Sequence, residues 1–173
     1  MKFKGEVEFD SWAKRFHEHY EAGSRLEKEF KLTRKLVLSA RRWTSYIDAL
    51  VTSKTGNSRA RWHTLSALTF CDGPVGVVEL SRSMGVKWPT AIRVLKDLEA
   101  EGLIRREVDQ DDRRSSLVTI TAEGRRVMAR VRDVLDPARS EILRKFTDDE
   151  LVVAERVIDE LFVELVRKIE GED

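Results

Sequence analysis

Val77-Val-Glu-Leu-Ser-Arg-Ser-Met-Gly85, Pro89-Thr-Ala-Ile-Arg93 and Leu98-Glu-Ala-Glu-Gly-Leu-Ile-Arg105 follow one another closely. The first run predicts a short helix over 77–84, with Gly85 as a left-handed turn residue. Pro89 suits a first helical position. Ala91, Val94, Leu95 and Leu98 then form one apolar face, and Gly102 supplies the stop. After it the period changes: 103–108 and 116–120 suit strands, separated by the charged tip Asp109-Gln-Asp-Asp-Arg-Arg114. Helix, turn, helix, strand, charged tip, strand describes a winged helix-turn-helix. In that arrangement the second helix enters the major groove and the hairpin reaches flanking backbone or minor groove. Paired arginines on a protruding turn favour an anionic partner over an inert α+β fragment.

Outward from this centre the chain reads as helix. Thr121 caps a segment running to about Leu135, where Pro137 is expected to break or bend it. Thr147-Asp-Asp-Glu150 is a capping box opening a last helix, whose stripe of Leu151, Ala154, Ile158, Leu161, Leu165 and Ile169 has period 3.5. On the other side, Arg59–Cys71 predicts a helix with Trp62, Leu65, Leu68 and Phe70 inward. Ser24 with Glu27 forms a second capping box, followed by a near-3.5 stripe from Leu26 to Leu50. That helix is too long to bury its stripe on a small domain and calls for a partner helix. Phe9, Trp12, Ala13, Phe16 and Tyr20 recur at helical spacing ahead of Gly23. The expected class is therefore mostly α with a small β-hairpin wing. A helical extension covers 1–23, the winged helix-turn-helix 59–135, and 24–58 and 136–173 are helical segments whose stripes pack either in one intramolecular bundle or against a second copy.

The totals agree. The chain has 173 residues, 36% of them charged and 41% hydrophobic, with three prolines. A charged fraction well above the usual quarter points to long solvated helices. A lone Cys71 excludes a disulfide framework and Cys-based structural zinc. No apolar run reaches the roughly 20 residues of a membrane span. The first residues, MKFKGEVEFD, lack an apolar core and a cleavage signal, so a cytoplasmic protein is expected. Net charge is +1, but residues 1–76 carry a balance of +5, 77–132 of +3, and 133–173 of −7. A basic body with an acidic tail permits an anionic partner for the body.

The three runs quoted first, the tip Asp109–Arg114 and Thr119-Ile-Thr-Ala-Glu-Gly124 together resemble the MarR family of transcriptional regulators in order and spacing. The resemblance extends over roughly 30–170. It implies a homodimer whose N- and C-terminal helices interlock while two winged helices grip a pseudo-palindrome on double-stranded DNA. With the apolar face turned inward, the second helix offers Lys87, Trp88, Thr90, Ile92, Arg93 and Lys96. Arg93 can pair with guanine or phosphate and Thr90 can do either more weakly. Trp88 and Ile92 would pack on thymine methyls, or Trp88 simply across the helix start. Ser81, Arg82 and Ser83 are phosphate candidates. At the wing, Arg113 or Arg114 should enter or line the minor groove, and the resemblance implies that Asp111 orients the arginine.

The resemblance further implies a small-molecule effector, often a phenolic or aromatic acid. The matching positions are Arg41, Arg42, Ser45 and Tyr46 on the long helix, and Trp62 and His63 on the next. Arginine with Tyr or His could pair a carboxylate while Trp62 stacks on a ring; alternatively the aromatics are core and the arginines solvated. Redox sensing at Cys71, which would ordinarily be a small buried hydrophobe, and a metal held by His17, His19 and His63 are the rival chemistries. No cofactor, metal site or catalytic residue is expected: the chain has no phosphate-binding glycine loop, nucleophile elbow or metal motif. The expected function is a dimeric repressor released from its operator by an aromatic acid. The competing class is a helical scaffold that never touches DNA.

Overall fold

The computed structural model describes residues 13–83, 86, 88–110 and 116–171. Phe9, Trp12, Gly85, Lys87, Asp111, Arg113 and Arg114 lie outside them. The chain divides into two compact units, residues 1–49 and 50–173.

In the first unit, α1 (Phe16–His19) is a single turn preceding α2 (Arg25–Thr55), which continues into the second unit. The Ser24 cap forms in modified shape. Ser24 Oγ accepts from the Glu27 amide at 3.2 Å, but the Glu27 carboxylate accepts from Gly23 N–H rather than from Ser24. Lys31 Nζ donates to the same buried carboxylate at 2.6 Å. These bonds hold Glu27 below the usual carboxylate range, the Lys31 contribution being the larger. Phe16, Tyr20 and Phe30 stack over this turn with centroids 4.9–5.2 Å apart, so the segment before α2 is folded onto its first turns.

The second unit is organised around α3 (Arg59–Thr69), α4 (Val77–Ser83), α5 (Trp88–Ala100) and α6 (Ala122–Leu143). Its core contains Val51, Leu65, Leu68, Leu80, Leu95, Leu98, Val118 and Val131, each at most 2% exposed. The wing strands β2 (Ile104–Val108) and β3 (Ser116–Ile120) are the expected hairpin, registered Ile104 to Ile120 and Val108 to Ser116. A third strand, β1 (Val75–Gly76), pairs antiparallel with β3, giving the order β1-β3-β2. The expected two-stranded wing is thus a three-stranded sheet. Two residues carry no period, so this strand leaves no sequence signature.

Two other expectations are corrected. α6 does not stop near Leu135 but continues through Pro137 to Leu143. Proline removes one helical donor, yet Leu135 and Ala138 on either side of it are buried, and that packing outweighs the lost bond. Phe70 is 77% exposed rather than inward. It is the C-cap of α3, about 140° around the helix from Leu65 and about 160° from Leu68.

Thr121 is the joint between wing and α6. Its amide donates to Leu103 O at 3.0 Å, its hydroxyl donates to Gly102 O at 2.7 Å, and its Oγ1 accepts from the Gly124 amide at 3.1 Å. The last helix, α7 (Asp148–Glu170), opens on the full capping box expected at Thr147 and Glu150. It contains no buried residue.

Candidate nucleic-acid interface

α5 is fixed from one side only. Ala91, Val94, Leu95 and Leu98 are buried, whereas Trp88, Thr90, Arg93 and Lys96 are exposed, Trp88 by 54%. Ile92 is half-buried between the two faces. The helix ends in a Schellman motif: Leu103 N–H donates to Leu98 O and Gly102 N–H to Glu99 O, both at 2.9 Å, with Gly102 at φ +70°. The exposed ridge therefore sits on a helix whose roll and end are both set by the core.

Two ion pairs add to that restraint. Arg106 on β2 donates to Glu99 Oε2 from Nε and Nη2, both at 2.7 Å. Arg61 on α3 grips Glu101 with both terminal nitrogens, a fork-to-fork pair. The latter raises the Arg61 guanidinium and lowers the Glu101 carboxyl. Glu99 and Glu101 would otherwise sit uncompensated at the negative end of the helix dipole. That misfit was the signal in the sequence, but the partners lie 7 and 40 residues away and no local pattern names them. Because Glu101 is held below its ordinary range, its contribution is present above the normal glutamate pKa and is lost as pH falls through the depressed value. With Glu101 half exposed, we expect less than about 1 kcal/mol from it, measurable as a smaller acid-side loss of stability in Glu101→Gln than in the parent.

Of the α4 candidates, Arg82 and Ser83 are exposed, but the Ser83 hydroxyl donates to Leu80 O at 3.1 Å, a bond a phosphate would have to replace. Ser81 is buried and donates to Val78 O, so it is not a phosphate contact. Lys87 and the tip residues Asp111, Arg113 and Arg114 fall outside the described residues.

The six effector candidates are distributed over both units. Arg41, Arg42, Ser45 and Tyr46 are exposed on α2, with Arg41 four residues before Ser45 and Arg42 four before Tyr46. On α3, Trp62 is 8% exposed, and its indole N–H has no acceptor among the described residues. Its ring lies 3.9 Å from that of half-buried His63. Cys71 is exposed rather than buried, its thiol donating to Ala67 O. Among the described residues no group of His, Cys, Asp and Glu is arranged to hold a metal ion, and no helix is long and apolar enough to cross a membrane.

A helix-turn-helix with a free outer ridge and a three-stranded wing coincides with a family match: residues 58–116 fit the model of the MarR family. This segment is a MarR-family domain. Solved structures extend the likeness beyond it. The transcriptional regulator BldR from Sulfolobus solfataricus is 24% identical, with TM-score 0.69 over 83% of this chain and 99% of its own. A second solved transcriptional regulator is 27% identical, with TM-score 0.70 over 79% and 98%. A MarR-family regulator from Silicibacter pomeroyi is 25% identical, with TM-score 0.65 over 72% and 86%.

Proposed function

We propose that this MarR-type chain is a dimeric transcriptional regulator, a repressor released from a pseudo-palindromic operator by a small aromatic acid. The observation that carries the DNA reading is the ridge of Trp88, Thr90, Arg93 and Lys96, exposed on a helix buried along its other side. Arg93 is assigned to a guanine or a phosphate, Lys96, Lys87 and Ser83 to phosphates, and Trp88 to a thymine methyl. Arg113 and Arg114 go to the minor groove beside the core site, with Asp111 orienting them. The effector reading is supported by Arg41, Arg42, Ser45 and Tyr46 exposed on one helix, and by a Trp62 N–H that still needs an acceptor. An effector of this kind works only if it prefers the DNA-free state of the dimer.

The test is titration of duplex DNA from the upstream region at two salt concentrations, with and without aromatic acids. Salt-dependent binding is expected, and Arg113→Ala with Arg114→Ala should weaken it more than about tenfold while flattening the salt slope by about 1 to 2. Undiminished affinity of the double variant at fixed salt would remove the wing assignment. Absence of any salt-sensitive DNA binding would favour a scaffold.

A further inference from the structure

A cleft of about 610 Å³ opens within the second unit, where the turn after α2, the start of α3, the α5–β2 turn and the face of α6 meet. That volume lies in the range of small-molecule sites. Leu103 and Val127, both buried, supply an aliphatic part of its wall, and among the described residues no aromatic side chain lines it. The rest of the lining is polar and carries four charges, from Arg61, Glu101, Glu123 and Arg130. Arg61 is committed to Glu101, and Glu123 is drawn off by Arg126 at 2.9 Å. Arg130 is exposed and, among the described residues, takes part in no ion pair. The cleft therefore has one uncompensated positive charge facing a short aliphatic wall.

From this arrangement we infer that the cleft binds a small aliphatic monocarboxylate, which meets Arg130 and exchanges with the Glu101 carboxylate on Arg61. The exchange replaces one fork-to-fork carboxylate by another, so Arg61 is never left without a counter-ion. Its consequence is mechanical. Glu101 directly follows α5, and its bond to Arg61 ties the end of that helix to α3. Acid in the cleft unties it. None of the aromatic-acid candidates is among the residues that line it. Its binding stands apart from the regulator reading, and only its effect on DNA rests on that reading.

The probe is hexanoate, with hexanamide as the uncharged control, followed by amide NMR shifts of the full chain. Saturable shifts are expected at Gly56, Leu103 and Val127 with hexanoate alone. Arg130→Gln should weaken binding about tenfold, whereas Glu101→Gln should tighten it by removing the internal competitor. The opposite signs of these variants distinguish the exchange from nonspecific anion attraction. No saturable shift up to about 10 mM, equal shifts with hexanamide, or unchanged affinity in both variants would overturn the site. A DNA titration then reads the consequence: hexanoate should lower operator affinity about fivefold in the parent and less in Arg130→Gln. If the amides shift but no DNA binds with or without acid, the regulator reading falls and the site stands.

Discussion

Gly124→Ala is expected to be the most damaging single-methyl change in the second unit. A Cβ built at Gly124 would lie 2.2 Å from Leu103 O and 2.8 Å from Ile120 Cγ1. Both distances are far inside contact, and the nearer atom is backbone that cannot rotate away. Leu103 O is also the acceptor of the Thr121 amide, so moving it breaks the bond that seats α6 on the wing joint. Alanine is normally preferred over glycine in a helix by close to 1 kcal/mol. Here that gain is swamped. We expect a net loss of about 3 kcal/mol from overpacking plus the broken joint, read as a lower urea midpoint at unchanged slope. A change within about 0.5 kcal/mol of the parent would mean the α6–β2 approach relaxes freely, and the joint described for Thr121 would be wrong. Gly102, with nothing within 4 Å of its added Cβ, is the control: there only the positive φ resists alanine, at about 1 kcal/mol.

The same glycine shows what the sequence made legible. Its place in Thr119-Ile-Thr-Ala-Glu-Gly124 marked a strand-to-helix join, and the caps at Thr121 and Thr147 were readable because a cap is made by residues three apart. The apolar face of α5 was readable for the same reason, since helical period encodes burial locally. What was hidden depends on distance or on competition. β1 is too short for a period and exists because β3 is beside it. Pro137 reads as a stop, yet buried neighbours carry the helix past it. Arg61 finds Glu101 only after folding, so the clamp on α5 and the cleft beside it could not be anticipated. The effector positions rested on resemblance, and they fall on two units.

The last helix carries the prediction with the largest expected effect on assembly. Ile158, Phe162, Leu165 and Ile169 are spaced four, three and four residues apart, and all are between 50 and 82% exposed. That is a coiled-coil seam facing outward. It differs from the seam expected from the sequence at two leucines: Leu151 and Leu161 are half-buried, and Phe162 takes the outward place next to Leu165. Ion pairs Arg156–Glu160 and Glu164–Arg167 are each formed along the same helix. An unpaired seam of this kind on a solvated helix is poorly soluble, and a second copy would cover it. Burying Phe162 and Leu165 from both copies is worth about 1.5 kcal/mol or more per side chain. Replacing both by glutamate therefore forfeits about 6 kcal/mol, weakening a dimer by about 10⁴-fold or more. Sedimentation at micromolar protein should then report a monomer with unchanged helix content. Affinity for a two-half-site operator should fall by more than about a hundredfold while that for an isolated half-site hardly changes, because linkage of the two winged helices supplies the difference. Glutamate at Val153, off the seam, should leave the dimer intact. If the Phe162 and Leu165 double variant still sediments as a dimer with parent affinity for DNA, the seam is not the interface and the paired-reader model of operator binding fails with it.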